Sequence, residues 1–106
     1  MRNDLIIEKM IQLIEKIERY TKGLSYDDFC NDEMVVDACV FNLSQLGETS
    51  NKISESFEVD HPEIPWRQLY GLRNRIVHDY DGVKLTVVWE VICGDLPELK
   101  GKLENM

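Results

Sequence analysis

The stretch VKLTVVWEVICGDLPELK, residues 83–100, decides whether this chain is wholly helical or carries a strand. Thr86, Val87, Val88, Val91 and Ile92 are β-branched and favour strands. Leu85, Val88, Trp89, Ile92 and Leu96 nevertheless recur at helical spacings, which fit better than alternation does. The stretch therefore reads as helix, followed after Pro97 by a last short helix.

The rest of the chain agrees with a helical reading. In DLIIEKMIQLIEKIERY, residues 4–20, Ile6, Met10, Leu13, Ile17 and Tyr20 form one stripe, with Asp4, Glu8, Gln12, Glu15 and Arg19 opposite. Ile7, Ile11 and Ile14 widen that stripe beyond what one partner helix covers, so part of this helix is expected to meet a second subunit. Gly23 ends the helix, and Ser25 followed by Asp28 resembles a capping box opening a short helical turn. From Asn31 or Asp32, either able to cap, a long helix is predicted to about Phe57, with Val35, Cys39, Leu43, Leu46, Ile53 and Phe57 on one face. Asn42 falls inside that stripe, where a buried amide either fixes packing or supports a site. Pro62 and Pro65 interrupt the chain, and Pro65 suits the first turn of a third helix running to about His78, before Asp81-Gly82 breaks it again. The expected architecture is an all-α, up-and-down bundle of four to five helices, a single domain over residues 1–106 without repeats.

Size and composition bound the function. A chain of 106 residues buries roughly two-thirds of its unfolded surface around one core. With 43% hydrophobic and 30% charged residues it is a globular composition, and no apolar run approaches a membrane span. Acids stand too early, at Asp4 and Glu8, for a signal peptide, so a cytoplasmic location and no membrane partner are expected. Cys30, Cys39 and Cys93 are odd in number and widely spaced, which suggests neither a disulfide framework nor a metal site; they read as reduced fillers of apolar space. The net charge of −8 argues against broad, non-specific nucleic-acid binding. One local exception exists: from Trp66 to His78 the chain holds Arg67, Arg73 and Arg75 and no acid.

That island leads into RNRIVHDY, residues 73–80. Histidine and arginine are the residue types for cleaving RNA without a metal, since one removes the 2′-hydroxyl proton and the other offsets charge on phosphorus. Arginine also offers a planar fork to two phosphate oxygens. Asn74 and His78, four apart, share a helix face, whereas Arg73 and His78 lie roughly 140° apart. Either the helix loosens near His78, or Arg73 serves a site completed by another subunit. A helix C-terminus near His78 would favour the imidazolium. Residue types alone favour a solvated or structural helix end over a catalytic one.

Arg73-x-x-x-x-His78-x-Tyr80 is similar to the signature of the HEPN ribonucleases, and most resembles their HepT-like toxin branch. LGETSNKISESF, HPEIPW, GLRNRIVHDYDGV and VWEVICGDLPELK resemble that family in order and spacing, so the likeness covers nearly the whole chain. The resemblance implies a homodimer whose two signatures meet in one cleft, and a metal-independent endoribonuclease acting as the toxin of a type VII-like toxin–antitoxin pair, with no cofactor. Its implied partner is an MntA-like nucleotidyltransferase antitoxin that attaches AMP to the motif tyrosine. Carried over residue by residue, Arg73 steadies the phosphate, His78 is the acid/base, Asn74 supports it and Tyr80 is the modified residue. Asp79 departs from the small residue many members carry and adds a negative charge beside the phosphate site.

The rival reading is a non-enzymatic helical module that partners a nucleotidyltransferase, which the net acidity also suits. His61, in a proline-flanked linker, is expected to be exposed, Trp66 and Trp89 are expected in the core, and Glu48 and Glu55 are expected in surface ion pairs.

Overall fold

The computed structural model describes residues 2–80 and 84–106; for positions 73–75 and 77–80 it describes the backbone and not the side chains. The expected break at Asp81-Gly82 lies outside the described residues. Among the described residues there is no strand, and the elements are α1 (Asn3–Thr21), α2 (Tyr26–Cys30), α3 (Glu33–Ser50), α4 (Glu55–Asp60), α5 (Trp66–Tyr80), α6 (Leu85–Glu90), a π turn (Val91–Asp95) and α7 (Leu96–Glu104). α3 is the central column, packed on α1 along one side and α5 along another, while α7 closes against α1. No described helix is long and apolar enough to cross a membrane.

Each boundary has a local cause. Gly23 leaves α1 with a φ of 79°, the left-handed region that glycine enters without a Cβ penalty. Ser25 and Asp28 make the reciprocal capping box at the start of α2, at 3.1 Å in both directions. Of the two candidate caps for α3, Asp32 serves, its carboxylate accepting from the Val35 N–H at 3.1 Å.

Two expectations need correction and a third is narrowed. The widened stripe of α1 is used largely within this chain: Ile7 and Ile14 are buried and Ile11 is half-buried against the core, where both α3 and α7 pack on α1. The long helix does not reach Phe57. It ends at Ser50, whose hydroxyl donates to the Gly47 carbonyl at 2.7 Å, and α4 starts anew at Ser54. Asn3, at the far end of the chain, brackets that restart: its Nδ2 donates to Ser54 Oγ at 3.0 Å and its Oδ1 accepts from the Ser54 N–H at 3.2 Å. Finally, Cys93 is exposed and only Cys39 is fully buried, so the cysteines are not all core fillers; all three are free thiols.

The opening stretch is helical, as its spacing predicts, but Pro97 does not separate two helices. A proline there lacks the N–H for an α bond and its ring clashes with the Cys93 carbonyl. Residues 91–95 widen into a π turn, closed by the Leu96 N–H donating to the Val91 carbonyl, and the helix passes on into α7 with Pro97 in its first turn. Val88, Val91, Ile92, Leu96, Leu99 and Leu103 thereby stay on one buried face. Lys100 then ties α7 to α1, its ammonium 3.0 Å from Glu18 and 3.6 Å from Glu15.

Candidate active site

The helix that carries residues 73–80 is aimed by its first turn. Ile64 and Trp66 are buried, and the Trp66 indole N–H donates to the His61 carbonyl at 2.9 Å. The Pro65 carbonyl accepts from the Leu69 N–H at 3.0 Å, so the proline sits at the mouth of α5 where its missing N–H costs nothing. The linker is more than punctuation. His61 is half-buried, its ring 4.4 Å from that of Phe57, and its Nδ1 lies 3.1 Å from a Glu63 carboxylate oxygen. The Glu63 carboxyl is held below its ordinary range, first by a hydrogen bond from its own backbone and then by His61. Both tryptophans are structural: Trp66 is buried, and half-buried Trp89 packs its ring 4.9 Å from Phe29.

α5 is α-helical without interruption through Tyr80, so the loosening near His78 that would let one helix converge its own groups is not what forms. Leu69, Leu72 and Ile76 are its buried stripe, on the helix that packs against α3. At about 100° per residue, positions 67, 71, 74 and 78 fall within about 60° of one another on the side turned away from that stripe. Positions 73 and 80 fall about 20° apart, beside the stripe. The backbone thus sorts the signature into two pairs, Asn74 with His78 and Arg73 with Tyr80, about 140° apart between Arg73 and His78. The side chains of Arg73, Asn74, His78 and Tyr80 lie outside those the structure describes.

Around this helix, Arg67 and Gly71 are exposed on the same side as positions 74 and 78. Arg67 makes no hydrogen bond or ion pair with a described residue. Asn42, on α3, is 4% exposed; its Nδ2 donates to the Ala38 carbonyl at 2.7 Å and its Oδ1 has no partner among the described residues. The Tyr70 hydroxyl, on α5, is the second buried polar atom without a partner among the described residues. Sequence reading passes over Tyr70, because a tyrosine beside a helical stripe ordinarily carries its hydroxyl to water.

The chain as a whole has known relatives. Residues 10–106 match the family model described as Ribonuclease HepT-like. A protein of Thermococcus cleftensis named "Probable ribonuclease HepT" is 37% identical, covering 94% of this chain and 91% of its own length. A "Putative RNase" of Methanocaldococcus jannaschii is 32% identical over 93% of this chain and 87% of its own. A second "Putative RNase", of Caldanaerobacter subterraneus, is 30% identical over 94% and 89%. No solved structure matches.

Proposed function

Because this chain belongs to the HepT-like ribonuclease family, we propose that it is a metal-independent endoribonuclease whose catalytic groups, Arg73 and His78, are pooled across the cleft of a homodimer. The observation that carries this reading is the register of α5: an unbroken helix sets Arg73 and His78 about 140° apart, so one copy does not present both to one phosphate. Two copies facing each other do. The His78 imidazole takes the proton of a ribose 2′-hydroxyl, and the 2′-oxygen attacks the adjacent phosphorus. The 5′-oxygen leaves with a proton from a protonated imidazole, giving a 2′,3′-cyclic phosphate and a 5′-hydroxyl end. The Arg73 guanidinium holds two non-bridging oxygens and offsets the charge that builds on them. Asn74, one turn before His78 on the same side, orients the ring.

In this reading the protein is a cytoplasmic toxin, and its antitoxin is an MntA-like nucleotidyltransferase. The Tyr80 phenolic oxygen attacks the α-phosphorus of ATP, pyrophosphate leaves, and AMP stays on the tyrosine. Position 80 shares a side of α5 with position 73, so the added phosphate competes for the guanidinium that the RNA phosphate needs. Bulk and charge then act together.

The test is RNA cleavage by the purified chain in EDTA. His78→Ala is expected to lower the rate by about 10²–10⁴-fold, the usual contribution of a general acid–base, while the melting temperature and self-association stay as they were. Full activity in that variant refutes the assignment. Incubation with the nucleotidyltransferase and ATP is expected to add whole AMP masses at Tyr80, and an adduct elsewhere removes that part of the reading. The net charge of −8 favours a second reading, a binding module that only presents Tyr80 to the transferase. In that case the chain takes AMP and cuts no RNA.

A further inference from the structure

Gly71 stands in the interior of α5, exposed, with no left-handed φ, and a Cβ built on it meets nothing within 4 Å. Glycine is the poorest helix former after proline. Nothing among the described residues therefore calls for it at this position, where alanine would fit and hold the helix better. What a glycine offers on an exposed helix face is a bare backbone that another molecule can approach closely. Gly71 lies one turn before position 74 and two before 78, on their side of the helix, and Arg67 lies one turn earlier still, exposed and without a partner among the described residues.

Two occupants could use such a face, and charge separates them. Arg67 is exposed on this face, position 75 falls about 80° from it and position 73 about 120°, and no acid interrupts the run from Trp66 to His78. Pressing this face against its own copy sets like charges together, which is unfavourable. A polyanion meets the opposite situation, and in a chain of net charge −8 this is the face on which it would. We propose that the RNA strand runs along the side of α5 turned away from α3, lining the same cleft as position 78, pressing the bare backbone at Gly71 and placing a phosphate remote from the cut on Arg67. The span from position 67 to 78 is about 16 Å at 1.5 Å per residue, so the Arg67 contact belongs to a nucleotide beyond those flanking the scissile bond. This rests on the ribonuclease reading and extends its site toward the start of α5.

The experiment compares two substrates in EDTA: a random-sequence pool of 20-nucleotide single-stranded RNA and a dinucleoside monophosphate too short to reach Arg67. For Arg67→Ala, KM on the pool is expected to rise about five- to tenfold with kcat held, and the penalty to vanish on the dinucleoside. Binding of the pool, measured in a His78→Ala background above 100 mM salt, should lose about one unit from the slope of log K against log salt. Gly71→Ala is expected to melt no lower than the parent and still to raise KM on the pool, a combination that damage to the fold does not produce. An unchanged KM and slope for Arg67→Ala overturns the inference, as does an equal loss on both substrates. So does a Gly71→Ala protein that turns from dimer to monomer, since the face then belongs to the second copy. If the parent chain cuts neither substrate nor total cellular RNA, it is the ribonuclease reading that has failed, a result distinct from a parent that cuts and an Arg67 variant that matches it.

Discussion

Replacing Asn42 by alanine should cost this protein little, although the residue sits in the middle of the core. The amide is 4% exposed and makes one hydrogen bond, from Nδ2 to the Ala38 carbonyl. That carbonyl belongs to the helix ladder of α3, so losing the amide forfeits about 1 kcal/mol and orphans nothing. A residual hole of about 30 Å³ adds about 0.7 kcal/mol at 24 cal/mol per Å³. Against these losses, Oδ1 is a buried acceptor with no partner among the described residues, a penalty of about 1–3 kcal/mol that disappears with it. The sum lies within about 1 kcal/mol of zero. Leu43, the next residue, is fully buried and apolar, and Leu43→Ala should cost about 2–5 kcal/mol. In a domain of this size that is roughly 4–8 °C of melting temperature for each kcal/mol. Urea titration of the three proteins with a common m-value is the assay. An Asn42→Ala protein as unstable as Leu43→Ala refutes the reasoning, because Oδ1 must then be satisfied. Cleavage measured on the same samples separates the two roles open to Asn42: a stable variant with lost activity assigns it to support of the site on α5, and a stable, active one assigns it to packing.

The remaining predictions concern thiols, charge and capping. Burial pushes the Cys39 thiol up to about 11, whereas Cys93 is exposed and only raised; Cys93 should therefore react with iodoacetamide in the native protein and Cys39 only after denaturation, as peptide mass mapping would show. The Lys100 ammonium is raised above the ordinary lysine range, chiefly by its hydrogen bond to Glu18. A folded value above the unfolded one means stabilisation that is complete below about pH 10 and is lost as pH climbs through the folded value, so the melting-temperature gap between the parent and Lys100→Gln should be flat to about pH 10 and close above it. Ser54→Ala and Asn3→Ala should each cost about 0.5–1 kcal/mol, since the Ser54 cap to Phe57 is long at 3.4 Å and Asn3 braces it. The double variant should cost less than their sum in a denaturant cycle, and strict additivity would show the two do not act together.

Much of this architecture can be read from local signals, and the misreadings share a cause. The Ser25 capping box, the Asp32 cap and the Gly23 exit are decided by residues within four positions of one another, and each forms. The end of α3 is different. Leu43, Leu46, Ser50, Ile53 and Phe57 keep a helical period straight through the interruption at residues 51–54, because Asn51 stays in the right-handed region and the stripe continues into α4. The cue that resets the chain is Asn3, 51 positions away. Pro97 misleads in the opposite sense: alone it reads as a stop, but α7 has a buried face to set on α1, and one π turn keeps that face in line. The site divides the same way. Residue types and register on α5 are legible as soon as the helix is, since both follow from spacing. That Gly71 has open space over it is not, because a helical glycine is as often needed for packing within the chain as for access from outside it.

A protein of net charge −8 that handles RNA through one basic face should also show an unusual salt dependence. For most nucleic-acid binders every screening ion weakens association, because the global field and the contact field have one sign. Here they oppose. At about 0.01 M salt the Debye length is about 30 Å, longer than most of this chain's 42 × 27 × 21 Å extents, so an approaching strand feels the acids of the whole molecule. At about 0.15 M it is about 8 Å, and a strand along the Arg67 side of α5 feels mainly that acid-free stretch, exposed Arg67 first. Added salt removes the long-range repulsion before it removes the short-range attraction. The association rate of a labelled 20-nucleotide RNA with the His78→Ala protein, followed by stopped-flow fluorescence, should therefore rise from low ionic strength, pass through a maximum, and fall. A decline from the lowest salt onward would mean that the strand never meets the acidic surface, and that attraction to this protein has a longer reach than a single helix face can give it.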